Sequence, residues 1–161
     1  REKIIGYKFP PYKRKWRFAF WNLLVRAEEK LFFLAEVTLA VPIPLHKERQ
    51  KERGFNQSVE IFSKWAKSRF LWNELLVRSR LTRAQSTLET KEERRENMKR
   101  AFQVVGEGDL SGEVMLLLDD ISTSGATFEE AGKALRTKRP KKIIGLALAS
   151  GAMIAEESCE T

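Results

Sequence analysis

Cysteine and histidine are almost missing from this chain of 161 residues: Cys159 and His46 are the only examples. One cysteine excludes an intrachain disulfide, and one of each leaves no ligand set for a cysteine or histidine zinc site. Long apolar runs are missing too. The richest stretch, residues 16–35, is interrupted by Arg17, Arg26, Glu28, Glu29 and Lys30, so no membrane span is expected. The start of the chain lacks the apolar segment of a secretory leader, and a cytoplasmic protein is the expectation. No GxxxxGK[ST] loop, internal repeat or low-complexity tract occurs. Charge, by contrast, is plentiful: 30 Lys and Arg against 22 Asp and Glu, net +8. That balance suits phosphorylated substrates, nucleic acid or plain solubility, and does not choose among them. Hydrophobic content of 42% at this length fits one soluble domain with a real core.

Residues 1–15 interleave Tyr7, Phe9 and Tyr12 with Lys13, Arg14 and Lys15, and Pro10-Pro11 forbids a continuous helix there. Such an arm can stack and neutralise a single nucleic-acid strand, or pack onto the domain; both readings stay open. Over residues 16–36, Trp16, Phe20, Leu23, Leu24, Ala27, Leu31, Leu34 and Ala35 fall at helical spacing and predict one amphipathic helix. Trp21 and Phe32 lie off that face, as a partner surface or as extra core. Residues 36–44 read as a strand ended by two prolines. A loop or helical turn with Lys47, Arg49, Lys51 and Arg53 follows. Several cations after a strand suit a pyrophosphate group, because arginine forks bind phosphate oxygens bidentately. A helix over residues 56–70 buries Val59, Phe62, Trp65, Ala66 and Phe70, with Asn56 or Ser58 as its cap. Residues 74–77 read as a strand. Residues 78–96 hold Arg80, Arg83, Gln85, Arg94 and Arg95 but no apolar period, the mark of a lid or a disordered loop.

The chain is organised around residues 114–127, VMLLLDDISTSGAT. The run to Leu118 has no polar face, as expected of a strand buried on both sides of a parallel sheet. Asp119 and Asp120 then stand at its carboxyl end, where open α/β sheets place their ligand crevice, and are expected to be exposed there. A loop over residues 121–127 follows, with Ser122, Thr123, Ser124, Gly125, Ala126 and Thr127, and a helix over residues 128–138. Unpaired N–H groups and the positive end of a helix make that loop a phosphate cradle, and small residues let an anion approach the backbone. The carboxylates beside it are suited to accept hydrogen bonds from sugar hydroxyls. A further strand is expected over residues 143–149.

This segment resembles the phosphoribosyl pyrophosphate (PRPP) signature of type I phosphoribosyltransferases. The string PIPLHxxRxxxRGFNQ, with His46, Arg49, Arg53, Gly54, Phe55, Asn56 and Gln57, resembles the hallmark of the ComF family, the competence-associated phosphoribosyltransferase-like proteins. A second ComF block is similar to Arg83-x-Gln85-x-x-Leu88 followed by Arg94/Arg95 and residues 97–102, where the family often has glycine in place of Arg100. The four-cysteine zinc module with which ComF proteins commonly begin is not among these residues.

The resemblance implies an α/β fold with a doubly wound, mostly parallel sheet of type I phosphoribosyltransferase kind and a mobile lid loop. Residues 1–35 would form the arm and a packed helix, 36–150 the phosphoribosyltransferase-like domain, and 151–161 a tail. It also implies transfer of phosphoribosyl from Mg²⁺–PRPP to a nitrogen acceptor with release of pyrophosphate. Asp119, Asp120, Arg83 and Arg94 or Arg95 would carry the catalysis. Ser122, Thr123, Ser124, Gly125, Ala126, Thr127, Lys47, Arg49, Arg53 and Gln85 would bind substrate, and Mg²⁺ would come with PRPP rather than through direct protein ligands. A rival implication is a DNA-uptake accessory protein that binds single-stranded DNA and a helicase partner and keeps the pocket without turnover. A PRPP-sensing regulator is a third.

Overall fold

A computed structural model describes residues 17–83 and 87–150. The basic arm, Gln85 and the tail therefore lie outside the described residues. Four parallel strands form the central sheet: β1 (Leu39–Pro42), β2 (Leu71–Trp72), β5 (Val114–Ser122) and β6 (Lys142–Ser150), in the order β2-β1-β5-β6. β3 (Leu76–Arg78) and β4 (Phe102–Val104) form a separate antiparallel pair. Among the described residues five α-helices accompany them: α1 (Arg17–Ala27), α2 (Lys47–Arg53), α3 (Gln57–Ala66), α4 (Lys91–Met98) and α5 (Ala126–Arg136).

Alternation along β1 and β5 feeds two cores. Ala40, Val114, Leu116 and Leu118 join Phe20, Leu24, Ile61, Phe62 and Trp65 of α1 and α3. Leu39, Val41, Met115 and Leu117 join Met98, Ala131 and Leu135 of α4 and α5. Covering both faces is what lets β5 be apolar throughout its first five residues, all of them buried.

Several elements differ from the sequence expectation. The helix expected over residues 16–36 ends at Ala27, and two 3₁₀ turns follow, Glu28–Lys30 and Phe32–Glu36. The break swings Glu28 onto the indole N–H of Trp65 (3.3 Å) and the guanidinium of Arg69, and seats Leu34 and Val37 in the core. Leu23, expected inside, is 52% exposed, and Phe32 is 86% exposed. Trp21, expected off the core face, packs partly against it and carries the Lys64 ammonium 4.3 Å above its ring. β2 has only two residues, too few for a period to register.

The polar stretch after β3 is not without order. Thr90 caps α4 by accepting the N–H of Glu93 (3.0 Å), and the Glu93 carboxylate returns to the Thr90 N–H (3.1 Å). This reciprocal capping box compensates for a helix with only Met98 buried. Past its end, Arg100 takes a left-handed φ of 52°, its N–H held by Glu130 at 3.0 Å. The left-handed position just beyond a helix is glycine's usual place, and a side chain there costs on the order of 1 kcal/mol. Arg100→Gly should accordingly gain about 0.5 kcal/mol, read as a higher urea midpoint at unchanged slope.

Candidate functional site

β5 does not stop at Leu118. It continues through both acids to Ser122, because β6 offers small partners along its length: Asp119 registers with Ala147 and Ile121 with Ala149. The connection expected over residues 121–127 is thereby cut to Thr123, Ser124 and Gly125 before α5 begins at Ala126. Gly125 supplies the sharp entry with φ 77°, and the Ser124 hydroxyl accepts the Ala126 N–H at 3.4 Å. Thr127 and Phe128 lie in the first turn, where an N–H has no carbonyl four residues back to meet within the helix. Positive helix end, short loop and strand-end carboxylates therefore lie together at the carboxyl end of β5.

The acids are not equivalent. Asp119 is half-buried; its Oδ1 accepts the Ser58 hydroxyl at 3.2 Å and the Asp120 N–H at 2.8 Å. Asp120, expected to be exposed, is only 3% exposed, and its Oδ1 accepts the Ile121 N–H at 2.9 Å. The continued pairing of β5 past Leu118 keeps Asp120 within the packed strand, which corrects that expectation.

The cation-rich segment forms α2. His46 caps it, Nδ1 accepting from the Glu48 N–H at 3.4 Å, and Gly54 closes it at φ 80°. Spacing of four puts Arg49 and Arg53 on one side, both half-buried, while Lys47 and Lys51 on the other are exposed. Phe55 then enters the core. Asn56 caps α3 through the Ser58 N–H (3.0 Å) and donates to the Ile43 carbonyl (3.0 Å), which ties the turn to the end of β1.

Arg49 donates to the Thr82 carbonyl at 3.4 Å. The hydroxyl of the same buried threonine accepts from Arg78, which also reaches the Met98 sulfur (3.2 Å) and covers the Phe102 ring. Burial pulls the Arg78 guanidinium below its usual pKa, opposed by the Asp119 carboxylate and reinforced by the charges of Arg49 and Arg80. Its Nε is buried with no hydrogen-bond partner among the described residues. Arg49 and Arg78 meet at Thr82, and two cations gathered there make this region attractive to an anion. Arg78, Thr82 and Ser58 join the site without being among the residues expected from the sequence. A usable signal was the alternation Arg78-x-Arg80-x-Thr82 leaving β3, which carries strand periodicity past the last apolar residue.

The remaining arginines have neighbours within the fold. Asn97 brackets the exposed Arg83, accepting its N–H and donating to its carbonyl, both at 3.0 Å. Arg94 directs Nε and Nη2 at the carbonyl of buried Leu88 (3.1 and 2.7 Å). Arg95 pairs with Glu129 of α5 at 3.2 Å. Among the described residues there is no group of three or more His, Cys, Asp or Glu side chains arranged to hold a metal, and no helix long and apolar enough to cross a membrane.

No protein-family model matches the chain. It is 33% identical over 118 residues to Competence protein F of Haemophilus influenzae, an alignment covering 71% of this chain and 51% of that protein. The chain belongs to the ComF family. It is also 34% identical over 99 residues to DNA utilization protein YhgH of Escherichia coli O6:H1, covering 59% of this chain and 41% of that one. It spans about half the length of the curated relatives it matches.

Proposed function

We propose that the chain is the ribose-phosphate-binding core of a protein that serves DNA uptake or utilisation, and that the ligand at the carboxyl end of β5 is Mg²⁺–PRPP. The observation that carries the reading is the half-buried Asp119 near the carboxyl end of β5, a strand whose last residue, Ser122, stands three loop residues before the amino end of α5. In this reading Asp119 accepts hydrogen bonds from the ribose hydroxyls, with Asp120 fixing the strand end behind it. Residues 123–127 cup the 5-phosphate. The pyrophosphate lies toward Arg49, Arg53 and Arg78, and Mg²⁺ arrives as part of the substrate complex. The fold would then be of the type I phosphoribosyltransferase kind, and the names of the relatives support the DNA-related role.

Phosphoribosyl transfer is a second reading, favoured by the arginines grouped where a pyrophosphate would leave. The C1–O bond of PRPP would break toward pyrophosphate as a nitrogen nucleophile forms the new C1–N bond, helped by charge neutralisation of the leaving group and by positioning. Calorimetric titration separates the claims. PRPP with Mg²⁺ should bind more tightly than ribose 5-phosphate or pyrophosphate alone, and Arg53→Ala should weaken PRPP while sparing ribose 5-phosphate. No heat from any of the three at millimolar concentration would overturn the pocket reading. Pyrophosphate release on addition of nitrogen acceptors would establish turnover, whereas binding without release leaves a DNA-uptake accessory role with single-stranded DNA and a helicase as partners.

A further inference from the structure

Gly145 of β6 needs explaining. Its φ is not positive, unlike those of Gly54, Gly106, Gly108 and Gly125, so no backbone requirement keeps a side chain away. A glycine inside a strand forfeits packing and chain stiffness. Space supplies the reason. A Cβ built on Gly145 would lie 3.0, 3.1 and 3.3 Å from Cγ, Cδ2 and Cδ1 of Phe128. Gly132 of α5 has no such conflict, with nothing within 4 Å of its would-be Cβ.

Phe128 is the third residue of α5, directly after Thr127, and packs against the core on that side of the sheet beside Ala131 and Leu135. Together with the buried Ala126 that precedes it in the same core, the ring on Gly145 fixes how closely the first turn of α5 approaches the sheet. Asp119 is on β5, whose Leu117 registers with Gly145, so the same contact sets the spacing between the amides of residues 125–127 and the carboxylate. We propose that Gly145 is a positioning residue for the phosphate cup: by admitting the Phe128 ring it sets the height of those amides relative to Asp119. This rests on the reading that the loop holds a 5-phosphate. Gly145 touches no ligand; it acts through Phe128.

Added bulk at Gly145 must displace either the ring or the helix turn, and the turn carries the cup. Gly145→Ala is expected to weaken ribose 5-phosphate about tenfold while leaving pyrophosphate, which addresses the arginines, within twofold of wild type. Phe128→Ala removes Cγ, Cδ1 and Cδ2, the atoms the methyl would meet, so the Gly145→Ala/Phe128→Ala double variant should recover most of the loss. Parallel loss of both ligands, or a double variant no better than Gly145→Ala, overturns the proposal. In the unliganded chain, amide hydrogen exchange at Glu129, whose N–H bonds the Gly125 carbonyl at 2.9 Å and so closes the first turn, should rise in Gly145→Ala and return in the double variant. Unchanged exchange overturns the positioning claim whatever the ligands do. Raised exchange in a chain whose wild type does not bind ribose 5-phosphate overturns the phosphate reading instead. Should Gly145→Ala fail to fold, a folded, binding double variant supports the proposal and an unfolded one refutes it.

Discussion

Millimolar Mg²⁺–PRPP should raise the melting temperature of the chain by several degrees, ribose 5-phosphate should raise it less, and Asp119→Asn should remove both shifts. A ligand confined to the folded state stabilises it by about 2.7 kcal/mol at a hundredfold excess over Kd. In a domain of this size each kcal/mol moves the midpoint by roughly 2–4 °C. Asparagine keeps an oxygen to accept the Ser58 hydroxyl and the Asp120 N–H, so the strand end stays formed. It removes the charge that offsets the burial of Arg78 and should lower the unliganded midpoint; the test is the shift each ligand produces from that midpoint. Asp120→Asn is not an equivalent test. That side chain is buried and receives the Ile121 N–H, so disturbing it should cost about 1–3 kcal/mol of stability before any ligand is added. Thr127→Val should weaken both ligands without touching the core. A full shift in Asp119→Asn would contradict the assignment of the ribose.

The second large effect is expected at Arg78. Its alanine variant should weaken pyrophosphate and PRPP by about ten- to a hundredfold, the loss of a charge-assisted hydrogen bond worth roughly 1.5–3 kcal/mol, and should spare ribose 5-phosphate. Arg78→Lys keeps the charge but not the fork and should fall between the two. Because Arg78 also braces Thr82 and Met98, the comparison between ligands carries the inference. A simple loosening of the segment after β3 would reduce every ligand alike, and that result would make Arg78 a strut rather than an anion contact.

How far the sequence led depended on how much of each signal was local. β5 was legible as far as Leu118 because a strand buried on both faces has to be apolar at every position. The cap of α3 and the glycine at the mouth of α5 were legible for the same reason: side chain and backbone roles fall within a few residues. The length of β5 was not, since it depends on Ala147 and Ala149 of β6, remote in sequence. Nor was the burial of Asp120, which follows from that pairing. The helix break at Ala27 is set by Trp65 and Arg69 drawing in Glu28, a contact between residues about forty apart. α4 shows in the sequence only through its capping box at Thr90 and Glu93, because a helix that buries one residue has no apolar period. Arg78 went unremarked as a site residue because its significance comes from Thr82, Arg49 and Asp119 meeting in space.

The central claim is that a 5-phosphate sits at the amino end of α5 with its ribose against Asp119. Amide chemical-shift mapping of the chain titrated with ribose 5-phosphate tests it most directly. Saturable shifts concentrated at residues 123–128 and at Asp119–Ile121, absent in Asp119→Asn, are the predicted result. Saturable shifts confined to α1 or to the outer face of α2, with residues 123–128 unmoved, would contradict it.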